Sequence, residues 1–455
     1  MSRMSSKEIF RSLSPDLVEI VQGLAEEANS RNLRLFLVGG AVRDLLLNRP
    51  IMDVDMVLEA PGAAREIVAE VARAACPQNV KIVVHGRFGT VSMESGNGKL
   101  DLALARSETY RSPGALPVVE AASLEEDLFR RDFGVNALAL ELFSSERRAQ
   151  LEVTDPVGGL RDLDRKQLRI LHSESFRDDP TRAFRAARLG PRLGFSLARG
   201  TRVALSESIA HGVFSSISGD RIRRELEKVF TDSALGLDPV KALKYLSDWG
   251  VLQALDSSLT FSSSARSPIR RLGRAVVNPP WRSSPYRPFV PGLAVWLVDL
   301  PSAVRQRVLQ RLSVRGETAE RIMGFARLRH RRLEGLSKAR GRSAVDGVLA
   351  GIHEESLYAL YAVASSAGRR QIVRWAAEDR VQRVPVTGAD LVSLGLEGPA
   401  LGRVLARIRA GFLDGELLNR EEALTLAEEL VRRASTRGKT RVRGAKKRSS
   451  KRDAE

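Results

Sequence analysis

The sequence predicts an α+β protein: a small mixed α/β head at the N-terminus, followed by a mostly helical region. Three observations carry this. Between residues 30 and 145, short apolar runs of strand type alternate with turn residues and one helix-like stretch. From Ser173 onward, apolar residues recur at spacings of three and four. No run of about 18 apolar residues occurs, so no membrane-spanning helix is predicted.

The elements follow in order. Residues 1–30 are expected to form an N-terminal helix, and they lack the apolar core of an export signal. The head, residues 31–150, has strand candidates at 33–38, 52–58, 81–84, 90–93, 100–105 and 137–142, and a helix candidate at 61–75. Residues 151–240 read as a helical neck, with apolar periodicity over 201–211, 220–231 and 239–249. Residues 241–380 read as a helical body, interrupted at 262–291 by a Ser/Pro/Arg-rich stretch expected to be a loop or linker. Residues 381–433 read as a helical tail domain. The last segment, 434–455, is too polar to build a core and is expected to be disordered.

Composition narrows the function classes. One cysteine, Cys76, excludes an internal disulfide and fits a reducing cytoplasm. The formal charge is +18, of which Arg437–Glu455 contributes +7, leaving +11 on the rest. A basic balance of this size favours a polyanionic partner. By itself it does not separate tRNA from DNA, or either from a solvated basic surface.

The densest signal is FLVGGAVRDLLLNRPIMDVD, from Phe36 to Asp55. The apolar run ending at Val38 reads as a buried strand, and Gly39 and Gly40 end it. Glycine lacks a Cβ, so the backbone there can take positive φ and approach a phosphate closely. A helix read over 41–47 would place its N-terminus at the glycines, where free N–H groups favour anions. Asp53 and Asp55 lie in MDVDMVLE, and period-two geometry puts both carboxylates on one face, roughly 7 Å apart. Two like charges that close repel unless cations lie between them. Two Mg²⁺ ions would neutralise them and clamp the attacking and leaving oxygens of a nucleotidyl transfer. A lone D-x-D is also compatible with a solvated edge strand.

Five motifs in order resemble the class II tRNA nucleotidyltransferase (CCA-adding enzyme) and bacterial poly(A) polymerase family of the polymerase β superfamily. They are GGAVRD with DVD, RRDFGVNALAL (Arg130–Leu140), DPVGGLRDL (Asp155–Leu163), FRDDPTRAFRAARL (Phe176–Leu189) and SGDRIRRELEKVF (Ser218–Phe230). The resemblance implies a polymerase β-like nucleotidyltransferase head and an elongated, helical RNA-binding region. It implies a template-independent enzyme that adds CCA, or part of it, to the tRNA 3′ end from CTP and ATP with two Mg²⁺ ions. tRNA would be the partner, with no DNA and no membrane. A-only, CC-only and poly(A)-adding relatives share these motifs. A non-catalytic RNA-binding relative is disfavoured by the intact acids.

The resemblance assigns roles to residues. Asp53, Asp55 and Asp101 are the expected catalytic acids, with Asp53 and Asp55 as metal ligands and Asp101 near the primer 3′-hydroxyl. Gly39, Gly40, Arg43, Arg131, Asp132 and Asn136 are expected around the incoming nucleotide. Gly134 stands where the family pattern has Thr, and Pro191 is expected to interrupt its helix. Asp179 and Arg182, three apart at a helix start, can point the same way. A carboxylate accepts from an exocyclic amine and a guanidinium donates to a ring nitrogen, so the pair suits cytosine and adenine and rejects guanine and uracil. Taken alone, Asp179 before Pro180 is also an ordinary helix cap. Arg185, Arg188, Arg221 and Arg224 are candidates for RNA backbone contacts. His85 is assigned no chemistry. No adjacent His-Asp pair marks an appended phosphohydrolase domain.

Overall fold

The alternating apolar residues of the head become an eight-stranded mixed sheet in the computed structural model, which describes residues 3–51, 53–86, 89–96, 98–143, 150–282 and 287–433. The basic segment 434–455, expected to be disordered, lies outside the described residues. The chain divides into two compact units. The first runs to Asp232 and adds Leu237–Phe261 and Gln306–Val314; the second is built mainly from Ser262–Arg305 and the residues from Arg315 on.

In the first unit the strands are β1 (Arg3–Ser5), β2 (Arg34–Val38), β3 (Val54–Glu59), β4 (Lys81–His85), β5 (Thr90–Ser95), β6 (Gly98–Leu104), β7 (Arg106–Thr109), β8 (Val118–Ala121), β9 (Ala139–Leu142) and β10 (Gln150–Thr154). The main sheet runs β1-β10-β9-β2-β3-β6-β5-β4, and β7 pairs with β8 apart from it. Only β3 and β6 pair parallel; the other neighbours are antiparallel. Helices Pro15–Ser30 and Ile67–Ala75 pack against the sheet. The first buries Leu17, Ile20, Val21, Leu24 and Ala28, the one-sided stripe that spacings of three and four produce. Period two does the rest: Leu100, Leu102 and Leu104 are buried, while Asp101 and Ala103 between them line an open cleft.

All six strand candidates in the head form. The helix candidate 61–75 begins only at Ile67, because Pro61 and Gly62 make a turn, with Gly62 at φ 77°. The expected N-terminal helix over 1–30 is a short strand and two helices, Ser6–Arg11 and Pro15–Ser30, divided where Pro15 starts a new first turn. Beyond the sheet come helices Arg182–Leu193, Arg199–Ala210, Gly219–Thr231 and Pro239–Asp248. Pro191 does not interrupt the first of these. It sits in the last turn, and the helix ends at Gly194 in the left-handed region, φ 75°.

The second unit is helical. The stretch 262–291, expected as a loop or linker, is largely structured: Ser263–Val277 and Phe289–Leu297 are helices, with 283–286 outside the described residues. Serine and arginine masked an apolar stripe there, Ala265, Ile269, Leu272 and Ala275, all buried. Trp281, which follows, stacks on Tyr358 with ring centroids 4.4 Å apart. Residues 386–427 close a separate small core around Leu391, Ile408, Ala423 and Ala427. Among the described residues no helix is long and apolar enough to cross a membrane.

Candidate active site

A cleft of about 1250 Å³ opens on the first unit, lined from β3 and β6 on one side and from helices Arg182–Leu193 and Gly219–Thr231 on another. Asp53, Asp55 and Asp101 all line it. Asp55 and Asp101 are register partners on the parallel strands β3 and β6, which sets two like charges side by side. Asp53 precedes β3 rather than lying in it, so strand alternation does not place it; it still reaches the same cleft. Loss of water around Asp55, together with the charges of Asp101 and Asp53, pushes its carboxyl above the usual range against the pull of Arg131. Hard carboxylate oxygens crowded this way fit Mg²⁺, which takes few protein ligands and completes its shell from water and phosphate. Among the described residues no group of three or more His, Cys, Asp or Glu is arranged to hold a metal ion.

Gly39 has φ 69° and caps the seven-residue helix Gly40–Leu46. The positive φ favours glycine there, and a Cβ would lie 2.7 Å from Nη1 of Arg131 and displace its guanidinium. Arg131 in turn donates to the buried Asp127 at 2.7 Å. Arg43 is buried and braces the loop: its Nε donates to Asp44 at 2.9 Å and its Nη1 to Asn136 Oδ1 at 2.5 Å. Asn136 Nδ2 donates to Asp132 Oδ1, Arg185 Nε donates to Asp132 Oδ2 at 2.7 Å, and Arg192 donates to Asp44 at 2.9 Å. One continuous network therefore ties the Gly-Gly helix to helix Arg182–Leu193 through the RRDFGVNA turn. That turn is a 3-10 helix, Gly134–Asn136, and it lets Asp132 and Asn136 meet as their spacing suggested.

Burial alone would raise the Asp132 carboxyl. Arg185 and Asn136 outweigh it and hold the group at about 2, below the ordinary 3.8. A depressed folded-state value means the stabilisation, roughly 2 kcal/mol, is present above pH 4 and lost as pH falls from 4 through 2. The melting temperature should therefore drop across that window, and Asp132→Asn should show a shallower drop from a lower neutral-pH value.

Gly134 answers to its neighbours. A Cβ at this position would sit 2.1 Å from Asp162 Oδ2 and 3.0 Å from Arg169 Nη2. The Asp162–Arg169 ion pair, 2.8 Å, occupies the volume a threonine side chain would need. Gly134→Thr should destabilise the protein by roughly 2 kcal/mol or more, read from the midpoint of urea unfolding.

Asp179 and Arg182 both line the cleft without bonding each other. Thr181, not Asp179, is the N-cap of helix Arg182–Leu193; Asp179 is the C-cap of the short helix Ser175–Asp178 before it. Asp179 Oδ1 accepts from Thr181 N at 3.0 Å, Thr181 Oγ1 at 2.6 Å and Arg221 Nη2 at 2.7 Å. Its Oδ2 receives no hydrogen bond from the described residues. Arg182 is buried, donating to Ser175 Oγ and to the Arg130 carbonyl at 2.9 Å, which leaves three of its five N–H groups. Of the four arginines expected along RNA, three are engaged within the protein: Arg185 with Asp132, Arg188 with Asp232 and Glu225, Arg221 with Asp179. Of these four, only Arg224 lines the cleft with no ion-pair partner among the described residues.

Sequence reasoning missed Thr181, Ser175 and Arg192. Arg192 carried a signal, since Arg185 and Arg192 stand two helical turns apart on one face. Thr181 and Ser175 carried none, because small hydroxyl residues occur in every loop.

The sheet, the acid row and the facing arginines define a nucleotidyltransferase head. Residues 35–169 match the family described as the poly A polymerase head domain. The chain is 31% identical over 433 residues to an A-adding tRNA nucleotidyltransferase of Halalkalibacterium halodurans, covering 92% of this chain and 93% of that one. It is 30% identical over 438 residues to an A-adding tRNA nucleotidyltransferase of Geobacter sulfurreducens, covering 92% of this chain but about half, 48%, of that relative's length. Its fold is similar to a solved Thermotoga maritima CCA-adding enzyme complexed with tRNA-CCA, with TM-score 0.70 and 27% identity, covering 95% of this chain and all of that one. The chain belongs to the tRNA nucleotidyltransferase and bacterial poly(A) polymerase family.

Proposed function

We propose that this protein adds C and A residues of the CCA sequence, all or part of it, to the tRNA 3′ end from CTP and ATP, releasing pyrophosphate without a nucleic-acid template. The observation that carries the reading is that the acid row Asp53, Asp55 and Asp101 and the Asp179–Arg182 pair line one cleft. Its volume exceeds that of pockets built for one small ligand and leaves room for a nucleoside triphosphate beside an RNA end.

Each group has a task. Asp53 and Asp55 would hold two Mg²⁺ ions, which when bound supply charge neutralisation to the attacking and leaving oxygens. Asp101 accepts the proton of the attacking 3′-hydroxyl. Arg131, over the Gly39 backbone, faces the triphosphate. Asp179 Oδ2 accepts from the exocyclic amine and Arg182 donates to the neighbouring ring acceptor. The catalytic gain is positioning and charge compensation rather than covalent chemistry.

A second reading, addition of the terminal A alone, is favoured by the two A-adding relatives that cover 92% of the chain. Purified protein should be given tRNAs ending before CCA, after C and after CC, each with labelled CTP or ATP. Addition of C to the first two and A to the third supports full CCA synthesis. Addition of A to the third alone supports the A-adding reading. Unlimited A tails on unrelated RNA would indicate a poly(A) polymerase, and no transfer to any acceptor would refute nucleotidyl transfer.

A further inference from the structure

Asp101 is not held by its own strand alone. Its register partner on β5 is Ser92, whose hydroxyl donates to Asp101 Oδ1 at 2.5 Å. Ser92 is buried, and its oxygen lies 3.0 Å from Nε2 of His85 on β4. Since the hydroxyl proton goes to the carboxylate, the imidazole nitrogen facing it must donate. The chain therefore runs from His85 through Ser92 to Asp101, across three adjacent strands. The serine stands between acid and imidazole. A hydrolytic triad places the imidazole in the middle to activate the hydroxyl, so this order makes no nucleophile. What it does is fix one oxygen of the carboxylate.

That fixing matters because of the other neighbour. On the opposite side Asp101 faces Asp55 across the parallel pair, and like charges there push the carboxylate away. Oδ2 pairs with the exposed Lys99 ammonium at 3.4 Å. Without a donor on Oδ1, the side chain would rotate about its χ angles to separate the charges or to meet Lys99. Neither Ser92 nor His85 is among the residues lining the cleft.

We propose that Ser92, with His85 behind it, is a positioning residue that holds Asp101 Oδ1 so that Oδ2 meets the attacking 3′-hydroxyl. The proposal rests on the role given to Asp101 under the proposed function. Misplaced groups and lost supporting hydrogen bonds of this kind cost about 10- to 100-fold in rate.

The test uses the full-length protein, a tRNA acceptor shown to be extended, and saturating nucleotide. Ser92→Ala should lower kcat about 10- to 100-fold while KM for the nucleotide changes less than about twofold. Nucleotide affinity from equilibrium dialysis and the melting temperature should stay near wild type. Ser92→Thr keeps the hydroxyl on a residue suited to a strand and should restore most of kcat. His85→Gln, which keeps an N–H donor, should exceed His85→Phe. Ser92→Ala within twofold of wild type, or Ser92→Thr as slow as Ser92→Ala while both are folded, would overturn the proposal. Asp101→Asn separates this from the parent reading: full activity in that variant would refute the role of Asp101 itself, whatever Ser92 does.

Discussion

Asp53→Ala and Asp55→Ala should each lower kcat for nucleotide addition by about 10³-fold or more, the scale on which a lost charge-stabilising group is felt in acyl and phosphoryl transfer. The two acids share a cleft with Asp101, and Asp55 stands beside Asp101 in register. Among the described residues cations offset the row only in part: Arg131 pulls on Asp55 but bonds Asp127, and the exposed Lys99 pairs with Asp101 at 3.4 Å. The same crowding predicts a stability effect of opposite sign. The Asp55 carboxyl is raised above its ordinary value of 3.8, so the folded state prefers it protonated, and the stability it contributes falls as pH rises through that raised value. Asp55→Ala, measured at neutral pH without divalent ions, should therefore melt at or above the wild-type temperature. Loss of activity with retained or raised stability is what a functional acid gives. A variant keeping more than about a tenth of the activity would remove Asp55 from the mechanism.

The sequence made the acid row legible because its signal is local. Asp55 and Asp101 fall on strands whose alternation is visible in VDMVLE and KLDLAL, and the Gly-Gly turn is adjacent in the chain. Asp53 was placed on a strand it narrowly precedes, since Pro50 and the turn before it delay the start of β3. The network Arg192–Asp44–Arg43–Asn136–Asp132–Arg185 was far less visible. Its bonds span up to 148 residues, and no spacing rule connects Asp44 with Arg192. The arginines read as RNA contacts show the same limit. Arg185, Arg188 and Arg221 look like any basic helix face in sequence, yet each ends on a carboxylate supplied by a distant segment. The stretch 262–291 misled by composition: in helix Ser263–Val277 the serines and arginines are exposed or half-buried around a stripe that only helical projection reveals.

Asp179 offers the prediction with the most specific outcome. Its Oδ1 accepts three hydrogen bonds, from Thr181 N, Thr181 Oγ1 and Arg221, and this fixes the direction in which Oδ2 points. An acceptor held there suits the exocyclic amine of adenine or cytosine and repels the carbonyl oxygen of guanine or uracil. Asp179→Ala should lower kcat/KM for ATP and CTP by about 10²-fold and leave GTP and UTP nearly unchanged, collapsing the discrimination. Asp179→Asn goes further, because its amide can turn an N–H toward a carbonyl. Incorporation of GMP or UMP should then rise above the Asp179→Ala level, provided the oxygen stays on the Thr181 and Arg221 side. Arg182→Ala should cost at least as much, since it removes the ring-nitrogen donor and strands the Arg130 carbonyl it now satisfies. Arg221→Ala separates support from contact: it loosens Oδ1 but leaves Thr181 in place, so it should reduce the ATP-over-GTP preference less than Asp179→Ala does. Competition assays with paired nucleotides on one tRNA acceptor read all four variants. Equal loss for every nucleotide in Asp179→Asn would mean that Asp179 supports the fold of this turn and does not read the base.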